Sequence, residues 1–105
     1  MNKYEKQEIQ DEVCRRAIEK YGEILQMDQC IEECAELIQA INKFKRKRRS
    51  IDTLTNLAEE AADVKIMVRQ MEMILNDINV DDWVAFKIKR LADRLEDDDE
   101  TSKNR

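Results

Sequence analysis

One glycine and no proline in 105 residues leave this chain few ways to turn. Glycine supplies the left-handed conformations of tight turns and proline fixes turn geometry, and a sheet of many strands needs several of each. A chain nearly free of both, with 41% charged and 42% hydrophobic residues, suits long helices and short connections. Its length predicts one domain with a modest core. The expected fold is all-α, a unit of four helices resembling a bundle.

Local signals place the helices. Ile9, Val13, Cys14, Ala17, Ile18 and Tyr21 follow helical spacing, predicting a first helix over about residues 4–21 that ends at the lone Gly22. A second helix is expected from Leu25 or Met27 to about Lys47. Ser50-Ile51-Asp52 offers cap chemistry for a third, reaching about Leu75. Asn76-Asp77-Ile78-Asn79 reads as a turn, with Asp81 as the N-cap of a fourth helix ending near Leu95. The single domain is expected to span 1–95, and 96–105, acidic and then polar, to form a flexible tail.

Charge and cysteine content narrow the function classes. A net charge of −5 gives no general attraction to nucleic acid or membranes. No apolar run approaches the roughly 18 residues of a membrane span, and the charged N-terminus lacks a signal-peptide apolar region. A cytoplasmic location is expected. Cys14, Cys30 and Cys34 fit a reducing compartment. With no histidine in the chain, Cys30 and Cys34 at i,i+4 do not complete a zinc site, and all three read as small buried hydrophobes.

Two acidic motifs carry the chemistry: Glu32-Glu33-Cys34-Ala35-Glu36 and Glu60-Ala61-Ala62-Asp63. At about 100° of rotation per residue, Glu33 and Glu36 lie along one edge of the apolar stripe Met27, Cys30, Ile31, Cys34, Leu37, Ile38, Ile41. Glu60 and Asp63 take nearly the same offset from the stripe Leu54, Leu57, Ala58, Ala61, Val64, Val68, Met71. Antiparallel helices therefore bring both acidic edges to one side of a hairpin. The pairs Glu33/Asp63 and Glu36/Glu60 are each symmetric about position 48, so a reversal near Arg48 sets each pair level. Four converging carboxylates repel one another unless cations hold them, which points to divalent metal. Ordinary acidic helix edges are the bland alternative, but they do not account for matched offset and matched level together.

Three further features have two readings each. Lys43-Phe44-Lys45-Arg46-Lys47-Arg48-Arg49 is a solvated, dipole-compensating helix end or an anion-steering patch. Lys87, Arg90 and Arg94 share one face of the fourth helix, to hold phosphate oxygens or to pair with Asp93 and Glu96. Trp83, with Phe86, is a base-stacking surface or helix packing.

With these residues in view, the chain resembles the MazG-like superfamily of all-α nucleoside triphosphate pyrophosphohydrolases. The signature of that family is EExxE, a variable gap and ExxD. It stands here as Glu32-Glu33-Cys34-Ala35-Glu36, 23 intervening residues, and Glu60-Ala61-Ala62-Asp63. Gln26 precedes the first motif, Glu59 and Val64 flank the second, and Lys87-Ile88-Lys89-Arg90 is similar to the K-F-x-R stretch of the last helix. Ala85 stands where such domains often carry Asn. The resemblance covers roughly residues 20–95.

It implies cleavage of a nucleoside triphosphate between the α- and β-phosphates, giving the monophosphate and pyrophosphate. Glu33, Glu36, Glu60 and Asp63 would hold Mg²⁺ or Mn²⁺, with Glu33 or Glu36 orienting or deprotonating the attacking water. Substrate contacts would come from Gln26, Trp83, Lys87 and Arg90, and Glu32 and Glu59 would play supporting parts. The family also implies a homo-oligomer, a dimer or tetramer. The rival from another class is a non-catalytic, coiled-coil-like interaction protein, which the composition suits equally.

Overall fold

The computed structural model describes residues 1–47 and 50–103, with main chain only for Ser102 and Lys103. The described residues form four helices and no strand: α1 (Lys3–Tyr21), α2 (Glu23–Arg46), α3 (Ile51–Ile74) and α4 (Val80–Lys103). The expected boundaries hold within about two residues except at two ends. The start of α2 directly follows Gly22, and α4 runs on to Lys103, past the end expected near Leu95. The reversal expected near Arg48 falls on residues outside those described.

Polar side chains set where the helices begin. Asn2 Oδ1 accepts from the Glu5 amide at 2.9 Å and caps α1, while Asn2 Nδ2 donates to Glu5 Oε1 at 2.9 Å. Ser50 Oγ accepts from the Thr53 amide at 3.1 Å and caps α3. Asn79, not Asp81, caps α4, its Oδ1 accepting from the Asp81 amide at 2.9 Å. Gly22 ends α1 at φ 88° and ψ 157°, a region essentially closed to other residues, and its N–H bonds the Ile18 carbonyl at 2.8 Å. The one glycine stands where only glycine fits.

Met1–Ile74 form one compact unit, and the residues from Leu75 onward form a second. In the first unit α2 and α3 pair along their lengths, with α1 packed against both. Buried hydrophobic residues are few among those described: Cys14, Ala40 and Met67. Polar contacts supply much of the helix register. The Arg69 guanidinium forks onto Asp11, Nε to Oδ1 at 2.9 Å and Nη2 to Oδ2 at 3.0 Å, tying α3 to α1. Gln26 Nε2 donates to Gln70 Oε1 at 2.7 Å between α2 and α3, and both amides are buried. That pair is also symmetric about position 48, so it sets the register that levels the acidic motifs.

The apolar stripe of α2 divides in two. Met27, Cys30, Cys34 and Leu37 are half-buried, whereas Ile31, Ile38 and Ile41 stay exposed, with Ile31 at 68%, as does Ile24. Ile24, Met27, Ile31, Cys34, Ile38 and Ile41 repeat at alternating steps of three and four, the seam of a coiled coil. On α3, Leu54, Leu57, Ala61, Val64, Val68 and Met71 repeat in the same way, with Leu54 and Val68 exposed.

Candidate metal centre

Glu33, Glu36, Glu60 and Asp63 converge in the middle of the α2–α3 hairpin. Each offers a carboxylate oxygen, and these oxygens all lie within 4.8 Å of one another. The convergence has a simple cause. The i,i+3 spacing puts each motif's two carboxylates on one face of its helix, and the Gln26–Gln70 register sets the two faces level. Glu33 stands beside Asp63 and Glu36 beside Glu60.

Electrostatics reflect this crowding. Burial is the main influence raising the Glu33 pKa, with Glu36 and Asp63 adding to it and a hydrogen bond from Gln29 opposing. The Glu36 pKa is raised first by the neighbouring Glu60 charge and then by burial. Gln29 Nε2 donates to Glu33 Oε1 at 2.8 Å. Glu33 Oε2 and Glu60 Oε2 are shut off from solvent and have no hydrogen-bond partner among the described residues. Unpartnered buried carboxylate oxygens are costly unless a cation takes them.

The donor set suits a hard cation. All four donors are carboxylate oxygens, the ligands Mg²⁺ and Mn²⁺ prefer. An octahedral ion with bonds of about 2.1 Å spaces its ligand oxygens roughly 3–4 Å apart, so a closest grouping within 4.8 Å needs only small side-chain adjustment. Glu32 and Glu59 are exposed and stand outside the cluster.

The other expected site residues fall elsewhere. Gln26 lies about two turns before Glu33, and its side chain is buried and spent on Gln70. A substrate contact there would have to break that bond. Trp83, Lys87 and Arg90 belong to α4, in the second unit. There Trp83 and Phe86 meet edge to face, with ring centres 5.9 Å apart, and both stay more than half exposed. Lys89 pairs with Asp93 at 3.4 Å, while Lys87, Arg90 and Arg94 make no ion pair among the described residues. Lys43, Lys45, Arg46 and Lys47, around the end of α2, are exposed, and Arg48 and Arg49 lie outside the described residues. Cys14 is buried, Cys30 and Cys34 half-buried, and all three are free.

Sequence reasoning missed Gln29, Gln70 and the Asp11–Arg69 fork. Gln29 was legible in principle, since it precedes Glu33 by four positions on one helix face. The other two depend on contacts across 44 and 58 positions of chain, for which no local pattern exists. No known protein family, curated protein or solved structure matches this chain.

Proposed function

We propose that this protein is a divalent-metal-dependent pyrophosphohydrolase that cleaves a nucleoside triphosphate to the monophosphate and pyrophosphate. The observation that carries the reading is the meeting of four carboxylates with two shut-off, unpartnered oxygens among them. The EExxE and ExxD motifs that supply them resemble those of the MazG-like superfamily. Mg²⁺ or Mn²⁺, when bound, would polarise the phosphates and acidify a water.

The residues divide the remaining work. Glu33, held by Gln29 and partly buried, serves as a fixed ligand together with Glu60 and Asp63. Glu36 is solvent-exposed and has a raised pKa, which suits it to orient the water and receive its proton. On α4, in the second unit, Lys87 and Arg90 make no ion pair among the described residues and the Trp83 ring is more than half exposed, chemistry that suits phosphate oxygens and a base.

The exposed isoleucines of the α2 seam, with Leu54 and Val68 on α3, are the basis for a homo-oligomer. Three buried hydrophobic residues among those described make a thin core, and a second copy laid on the seams would bury Ile24, Ile31 and Ile38. The same seams also suit a non-catalytic helical interaction protein, and activity separates the two readings. The test is a panel of ribo- and deoxyribonucleoside triphosphates with Mg²⁺ or Mn²⁺, resolved by anion exchange. The expected products are monophosphate and pyrophosphate, lost in Glu36→Gln and Asp63→Asn. A folded protein that turns over none of them would favour the interaction protein.

A further inference from the structure

We infer that Gln29 is a positioning residue for the carboxylate centre, turning Glu33 so that one chosen oxygen is left for a cation. The inference rests on the metal reading above. Its basis is the division of labour between the two Glu33 oxygens. Oε1 accepts the Gln29 amide at 2.8 Å, while Oε2, buried, has no partner among the described residues. A carboxylate free to rotate would offer either oxygen, or both, to an incoming ion. An amide fixed one turn earlier removes that freedom before the ion arrives, and hydrogen-bonded partners of metal ligands commonly act in this way.

The choice of side chain matters as much as its place. A lysine or arginine at position 29 would also fix Oε1, but its charge would compete with the cation for the cluster. A neutral amide donor orients Glu33 and leaves the four negative charges to the metal. Gln29 is half-buried beside the site and shares the Glu33 face of α2, so the bond does not depend on a mobile surface side chain.

The test is Mn²⁺ affinity without nucleotide, followed by the paramagnetic resonance signal of free Mn²⁺. Gln29→Met keeps the length of the side chain and removes the donor, and a loss of about 10-fold or more in affinity is expected. The melting temperature of the metal-free protein should change little, and Gln39→Met, at an exposed position of the same helix, should bind as the parent does. Because Gln29 acts through Glu33, Gln29→Met in a Glu33→Gln background should weaken binding no further. Equal affinities for the parent and a folded Gln29→Met protein would overturn the inference and leave the metal centre standing. An equal loss with and without Glu33 would overturn it as well. If the parent binds no Mn²⁺, the metal reading itself fails, and this inference with it. Gln29→Leu serves the same comparison should Gln29→Met not fold.

Discussion

Asp11 and Glu36 are both helical carboxylates, yet their neighbours drive them in opposite directions. The Arg69 fork, outweighing burial, holds Asp11 at about 2, below its ordinary 3.8. Glu60 pushes Glu36 above its ordinary 4.5, and burial does the same to Glu33. A carboxylate whose folded pKa is lowered adds stability above the unfolded value and loses it as pH falls through the folded one. Asp11 therefore weakens the fold between about 3.8 and about 2. Glu33 and Glu36 work the other way, because the folded state binds protons that the unfolded chain releases. Their repulsion grows as pH rises through the raised folded pKa and is relieved on acidification toward 4.5. Metal-free protein should thus melt higher near pH 5 than at pH 7.5, then lose stability below about 3.8. Glu36→Gln should flatten the upper part of that profile, and Mn²⁺ should raise the melting point at pH 7.5 by mass action. A profile flat from pH 7.5 to 5, measured by calorimetry, would refute the account. The motif spacing made the acidic pairs legible, but it gave no hint that Asp11 and Arg69 would meet.

At the scale of elements, the α2–α3 pairing includes a buried polar contact that the apolar stripes do not announce. Gln26, which the resemblance gives to substrate, directly precedes the α2 stripe, and its amide is buried against Gln70, 44 positions away. Removing one partner leaves the other's buried polar group unsatisfied, at about 1–3 kcal/mol, whereas removing both leaves nothing unpaired. Gln70→Leu should therefore destabilise the chain by about that much in urea unfolding, and Gln26→Leu/Gln70→Leu by less than the two single changes together. Strict additivity would mean the pair adds no coupling. Helix number and most boundaries followed from composition, caps and period. The end of α4 did not, because the acidic run Glu96–Glu100 reads as a tail and yet continues the helix. The α2 stripe was read as one face, although only part of it turns inward. Hydrophobic period identifies apolar residues without saying which partner covers each one.

For the whole molecule, the exposed seams matter more than the small core. Each large aliphatic side chain removed from water is worth about 1.5–3 kcal/mol, and Ile24, Ile31 and Ile38 alone lie 70%, 68% and 60% exposed. A second copy covering them should keep the protein from sedimenting as a monomer. Ile31→Glu/Ile38→Glu should shift it to the monomer and lower its melting temperature, as read by analytical ultracentrifugation and thermal melts. A parent that sediments as a stable monomer at micromolar concentration would remove this proposal and leave the carboxylate centre untouched.

The symmetry of the hairpin about position 48 also sets which changes of length the chain can absorb. Extra residues between the two helices, after Arg46 and before Ile51, leave both helices intact, so Gln26 can still meet Gln70 and the acidic residues can stay level. One residue added within α2 between Gln26 and Glu33 would rotate Glu33 and Glu36 by about 100° relative to that anchor, away from Glu60 and Asp63. Length is thus free to drift between the helices and locked along them. Descendants of this sequence could lengthen the gap between their acidic motifs while keeping the spacing from each motif to its glutamine.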